Sequence, residues 1–123
     1  MRRKFLRTKL HRATVTAADP DYEGSISLDR GLCREAGLLE FEQVDVYDIT
    51  NGARFTTYVI YGEAGQVQLN GAAARLVNLG DRVIIAAYAE LEPSEVASHS
   101  SRVVLLGNDN RIEAVHAKEI TPP

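Results

Sequence analysis

Apolar and polar residues alternate at period two along much of this chain, which predicts a protein built mainly from strands. In "KLHRATVT" (9–16), Leu10, Arg12, Thr14 and Thr16 fall on one side of an extended segment and His11, Ala13 and Val15 on the other. "DYEGSISLD" (21–29) reads as a loop leading into a strand. Asp29 is suited to N-cap "RGLCREA", and Gly37 to stop it, so a short helix is expected over 30–36. "EQVDVYDITNGARFTTYVIYG" (42–62) holds two β-rich runs joined through Asn51-Gly52, a strong short-range hairpin signal that predicts antiparallel neighbours.

Beyond "GQVQLNG" (65–71), the run Ala72, Ala73, Ala74 suits one or two helical turns. "DRVIIAAYAEL" (81–91) is rich enough in Val and Ile to be a buried strand. Pro93 can open a brief helix within 92–98, and a closing hairpin is expected around "GNDN", between "SRVVLL" and "RIEAVH". "REAGLLEFEQVDVYDI" and "AARLVNLGDRVIIAAY" both run from a short helix through a polar turn to an apolar strand. The pair reads equally well as a duplicated unit in one small barrel or as a chance likeness.

Composition narrows the picture to one domain over 1–123: 123 residues, 45% hydrophobic and 25% charged, suffice for a single modest core. Cys33 is the only cysteine, so no internal disulfide can form and a reducing, cytoplasmic setting is expected. No apolar run approaches the roughly 18 residues that span a bilayer, and "MRRKFLRTKLHR" lacks the apolar stretch of a signal peptide, so no membrane role is expected. Charge is uneven within a net of −3, because residues 1–12 carry six Lys or Arg and no acid. These cations are interleaved with Phe5, Leu6 and Leu10, without an aromatic platform, which suits a solvated strand face better than a nucleic-acid arm and leaves room for one or two of them to bind a ligand. His11, His99 and His116 are too scattered for a local metal motif, and no metal is expected.

Residue type alone makes Gly24-Ser25 a turn. Four segments taken together read differently: "KLHR" at 9–12, "YEGS" at 22–25, "NGARFTTY" at 51–58 and "NGAAA" at 70–74. In this order, and across essentially the whole chain, they resemble the pyruvoyl-dependent aspartate 1-decarboxylase family. The resemblance implies a six-stranded double-psi β-barrel with short capping helices, assembled as a homotetramer. It also implies that the chain cuts itself between Gly24 and Ser25, leaving 1–24 and 25–123 as separate chains. Ser25 would attack the Gly24 carbonyl and end as a pyruvoyl group, the only cofactor implied. That group forms a Schiff base with the amine of L-aspartate and draws electrons as carbon dioxide leaves, giving β-alanine for pantothenate and coenzyme A synthesis.

Roles carry over only where the motifs match. Gly24 is the cleavage site, where the lack of a Cβ would permit strained backbone angles and an open carbonyl. Tyr58 is the implied proton donor, since a phenol near pKa 10 stays protonated at neutral pH. Thr57, Gly71, Ala72 and Ala73 match the substrate-binding positions, while Arg54 and Lys9 look like the cations that hold the substrate's carboxylates. Asn70 looks like an orienting neighbour, and Tyr22 and His11 are supporting residues. Two other readings stay open: a pyruvoyl enzyme for another amino acid, and an uncleaved, non-enzymatic β-barrel that acts as a binding module. A maturation partner for the cleavage is compatible with each enzymatic reading.

Overall fold

The computed structural model describes residues 1–123. Nine strands make up most of it: β1 (Arg3–Thr14), β2 (Ala17–Asp19), β3 (Ser25–Asp29), β4 (Gln43–Asp48), β5 (Arg54–Gly62), β6 (Val67–Asn70), β7 (Arg82–Leu91), β8 (Ser100–Leu106) and β9 (Ile112–Glu119). Two short helices, α1 (Arg30–Ala36) and α2 (Pro93–Val96), and a 3₁₀ turn over Gly71–Leu76 lie between them. The chain is therefore mainly β with short helices, as the alternation predicts.

The strands pair in the order β2-β6-β3-β5-β4-β7-β1-β8-β9, with β1–β8, β2–β6 and β3–β5 parallel. That ladder does not close, but it cannot be flat either. β2 and β1 stand first and seventh in the order, about 29 Å apart in a flat sheet, yet only Val15 and Thr16 separate them in sequence, a reach of about 10 Å. The sheet must curl, and its edges meet where Thr16 N–H donates to Val67 O at 2.8 Å and Val67 N–H donates to Thr16 Oγ1 at 2.9 Å. Asn110 strengthens the seam by donating to the carbonyls of Thr14 and Gly65. Six consecutive strands, β6-β3-β5-β4-β7-β1, form the curled body, β2 extends one edge, and the β8–β9 hairpin extends the other. The core fills the inside with Leu10, Ile26, Leu28, Val46, Val59, Leu69 and Ile85, all fully buried.

Several expectations meet a local complication. β1 begins six residues before the predicted start, so the basic arm is a strand paired to β7 and β8, and Arg2 and Arg7 pair with Glu92 and Glu42. Its alternation is broken at Arg12, whose φ of 68° coincides with a register shift between His11 and Ala13. This bulge moves the buried phase from Leu10 to Ala13 and Val15. β2 was not legible as a strand, since three residues carry no usable period. α1 forms as expected: Asp29 Oδ1 accepts from the N–H groups of Gly31 and Leu32, and Gly37 closes it in the left-handed conformation. α2 covers only part of 92–98, and the alanine run is 3₁₀ rather than α-helical. Both hairpins form, and β4 and β7, the strands of the two similar segments, lie side by side. Burial pushes the Cys33 thiol up to about 12, so it packs against the core without being nucleophilic. No helix is long and apolar enough to cross a membrane.

Asp48, at the end of β4, carries a pH-dependent cost. Its Oδ1 accepts from the N–H groups of Thr50 and Asn51, shaping the hairpin turn, but its Oδ2 is buried without a donor and faces the carboxyl of Asp81. Burial first, and then the Asp81 contact, raise the Asp48 carboxyl above its ordinary value, because only a shared proton can satisfy two acceptors. A carboxyl raised in the folded state stabilises most below its unfolded pKa, and that stability is lost as pH rises through the folded value. Asp48→Asn keeps the Oδ1 bonds and turns an amide N–H toward Asp81. We expect its melting temperature to exceed wild type by about 3–6 °C at neutral pH, with the gap shrinking toward pH 4. Thermal melts across that range check this, and a gap that grows on acidification contradicts it.

Candidate active site

Ser25 opens β3 and is fully buried, although residues 21–24 just before it are exposed. Its position follows from register. Ser25 and Ser27 alternate with Ile26 and Leu28, while Gln68 and Asn70 alternate with Val67 and Leu69, and antiparallel pairing sets Ser25 opposite Asn70 and Ser27 opposite Gln68. The apolar members enter the core, and the polar ones meet on the other face. There Asn70 Nδ2 donates to Ser25 Oγ at 2.9 Å and to Ser27 Oγ at 3.0 Å, while Asn70 Oδ1 accepts from Gln68 Nε2 at 2.9 Å. The Ser25 hydroxyl donates to the carbonyl of Glu23 at 3.1 Å, so it is turned back along the chain toward the Gly24–Ser25 peptide.

The demand for glycine falls on a different residue from the one the sequence suggests. A Cβ on Gly24 would meet no atom within 4 Å, and Gly24 has no positive φ, so the strained backbone expected there is not found. Gly71 has φ of 67°, and a Cβ there would lie 2.6 Å from Gly24 Cα and 2.7 Å from Gly24 N. The turn that begins at Gly71 is thus pressed against the backbone at Gly24 and Tyr22, which only a residue without a side chain allows. Ala72, next in the turn, is exposed, Ala73 is partly buried against the core, and Tyr22 is 52% exposed. Asn70 makes no capping bond to this turn, because its side chain is given to the two serines. If the chain cuts itself after residue 24, as the resemblance implies, Gly71→Ala is expected to lower the fraction cut at least tenfold, and in any case to cost about 1–3 kcal/mol of stability. Mass spectrometry under denaturing conditions and a thermal melt check both; a fully cut variant contradicts the close approach.

Parallel pairing sets Ile26 beside Val59, and continuing that register brings Tyr58 level with Ser25 and Thr57 level with Gly24. Tyr58 is half-buried, its ring centroid 6.4 Å from that of Phe41, and it shares a shallow cavity with Phe41, Gln43, Thr56 and Thr57. The structure therefore brings together Tyr22, Gly24, Ser25, Asn70 and Gly71 by contact, and Thr57 and Tyr58 by register. No strand pairing or hydrogen bond links Arg54, Lys9 or His11 to this group. Arg54 starts β5, about 13 Å along the strand from Tyr58, and lies over the Tyr47 ring at 3.8 Å. Lys9 and His11 lie on β1, which three strands, β5, β4 and β7, separate from β3 in the sheet order. Burial, and after it the charges of Lys9 and Arg12, lower the His11 imidazole below its usual value, and its buried Nδ1 has no partner.

Ser27 and Gln68 complete the hydrogen-bonded file at Ser25 and were not singled out from sequence, although "SISL" and "VQLN" carry the alternation that puts them there. Tyr47 was missed too, since no local pattern links it to Arg54. No group of three or more His, Cys, Asp or Glu side chains converges on a common point.

Comparison with known proteins addresses the chain as a whole. The sequence profile of the aspartate decarboxylase family matches residues 1–113. A protein of Ralstonia nicotianae named aspartate 1-decarboxylase is 49% identical over 119 residues, covering 95% of this chain and 99% of its own. Those of Methylibium petroleiphilum and Myxococcus xanthus, with the same name, are 53% identical over 117 residues and 50% identical over 125 residues, covering 94% and 100% of this chain and 98% and 96% of theirs. With a match of this extent and a buried, oriented Ser25 behind an exposed Gly24, the chain belongs to the aspartate decarboxylase family.

Proposed function

We propose that this chain cuts itself between Gly24 and Ser25 and then acts as an aspartate 1-decarboxylase, a carboxy-lyase converting L-aspartate to β-alanine and carbon dioxide. Family membership supports the reaction; the observation that carries the self-cleavage is the Ser25 hydroxyl, buried and fixed between Asn70 Nδ2 and Glu23 O beside a peptide bond that is open at Gly24.

In the cleavage, Ser25 Oγ bonds to the Gly24 carbonyl carbon and the peptide C–N bond breaks, leaving an ester. Loss of the Ser25 α-proton then breaks the ester C–O bond, so Gly24 leaves as a carboxylate and residue 25 as a dehydroalanine. One water enters and one ammonia departs to give a pyruvoyl group. Asn70 keeps Oγ turned toward Glu23, and Thr57, level with Gly24, steadies the oxygen that gains charge. The polar file at Ser25 and the glycine at 71 fit a small carbonyl group at the start of β3.

A pyruvoyl ketone supplies an electron sink next to the substrate's amine. The remaining work falls to side chains and backbone. Tyr58 Oη, level with residue 25, holds a proton for the carbon that has lost carbon dioxide. Gly71, Ala72 and Ala73 offer backbone N–H groups in a turn that Asn70 leaves uncapped. Arg54 and Lys9 hold the substrate's carboxylates, and neither pairs with an acid in its own chain. Arg54 lies about 13 Å along β5 from Tyr58, so a second copy of the chain is a natural source for it, consistent with an oligomer such as the homotetramer. His11, kept neutral, and Tyr22 support this site. The enzyme is placed in the cytoplasm, serving pantothenate and coenzyme A synthesis, and a maturation partner would act on the exposed 21–24 segment.

Incubation with single amino acids tests the reading. L-aspartate is expected to give β-alanine and an equal amount of carbon dioxide. Release from another amino acid but not from aspartate would favour the broader pyruvoyl reading, and release from none would favour a binding module.

A further inference from the structure

Arg54 is held in a way its assigned role does not explain. It sits opposite Tyr47 in the β4–β5 ladder, and its guanidinium carbon lies over the Tyr47 ring, 3.8 Å from the centroid. The ring is pinned in turn. Tyr88 Oη lies 2.7 Å from Tyr47 Oη, Tyr47 Oη donates to Asp45 Oδ2 at 3.2 Å, and Thr56 Oγ1 donates to Asp45 Oδ1 at 2.8 Å. One consistent set of donors follows: Tyr88 to Tyr47, Tyr47 to Asp45, Thr56 to Asp45. Burial and the Tyr88 bond raise the Tyr47 phenol above its ordinary value, so it stays neutral.

This network spans β5, β4 and β7 on the face away from the core. Tyr88 is 39% exposed, and none of Asp45, Tyr47, Thr56 and Tyr88 belongs to the core cluster. Hydrogen bonds there contribute little to folding, but they fix the plane on which a cation rests. A guanidinium grips a carboxylate with two parallel N–H groups only in a defined orientation, and a flexible arginine loses that orientation between encounters.

We propose that Tyr47, locked by Tyr88 and Asp45, is a positioning residue that orients Arg54 to grip a carboxylate of the substrate with two N–H groups. This rests on Arg54 as a substrate-binding residue.

The test is a double-mutant cycle read as KM for aspartate, kcat per pyruvoyl group and fraction cleaved. Tyr47→Leu is expected to raise KM about five- to tenfold with cleavage unchanged, and to add less than about twofold in an Arg54→Ala background. Tyr47→Phe, which keeps the ring, should recover most of the loss. Tyr88→Phe leaves the ring in place and frees only its hydroxyl; it is expected to raise KM about twofold, again only when Arg54 is present. Equal losses with and without Arg54, or Tyr47→Phe as weak as Tyr47→Leu, overturn the positioning role while Arg54 keeps its own. An unchanged KM in Arg54→Ala removes the substrate-binding reading and the positioning role with it. If Tyr47→Leu fails to accumulate, Tyr88→Phe decides: no change in KM overturns the proposal.

Discussion

Ser25→Ala is expected to purify as one uncut, folded chain with no detectable decarboxylation. The substitution removes the hydroxyl that donates back along the chain to Glu23 O and that would attack the Gly24 carbonyl. It also takes the acceptor from one Asn70 Nδ2 N–H, while the other keeps Ser27 Oγ at 3.0 Å and Asn70 Oδ1 keeps its bond from Gln68. Two hydrogen bonds are lost, to Glu23 O and from Asn70 Nδ2, so the stability cost should be about 1–3 kcal/mol and the melting temperature should fall by several degrees with the fold kept. Denaturing mass spectrometry of the variant and an aspartate assay check the expectation together. Two fragments from Ser25→Ala would move the cleavage elsewhere.

Tyr58→Phe is expected to separate making the proposed pyruvoyl group from using it. The phenol stands level with residue 25, but cleavage calls on the Ser25 hydroxyl and on a donor near the Gly24 carbonyl, where Thr57 is level. The ring's contact with Phe41 survives loss of the hydroxyl, so the fold around β5 should be preserved. The variant is therefore expected to be cut normally and to bind aspartate, while kcat per pyruvoyl group falls about 10²- to 10⁴-fold, the usual contribution of a positioned general acid. Quantifying the ketone before each assay makes the comparison fair. Wild-type turnover per ketone removes Tyr58 as the proton donor, and an uncut Tyr58→Phe gives it a role in maturation instead.

Much of this was legible in the sequence because it depends on short periods. Alternation in "VQLN" and "SISL" sets which side chains enter the core, Asn51-Gly52 sets a hairpin, and Asp29 with Gly37 bounds a helix. What escaped depends on residues far apart in the chain. The bulge at Arg12 reverses the buried phase of β1, and nothing local announces a left-handed arginine. β2 exists because β6 is available to pair with it. At the site, motif matching selected both Gly24 and Gly71, but the close approach between them, which demands glycine at 71, is a packing relation across 47 residues of chain. Arg54 and Lys9 are cations suited to a carboxylate, but no strand pairing or hydrogen bond joins them to Ser25.

The most direct test of self-cleavage is mass spectrometry of the purified full-length protein under denaturing conditions, before and after a hydrazine, alongside aspartate decarboxylation by the same sample. The predicted result is two fragments that part after Gly24, a hydrazone on the first residue of the larger one alone, and turnover proportional to the hydrazine-reactive fraction. A single intact chain that decarboxylates aspartate, or a break at any other bond, would contradict it.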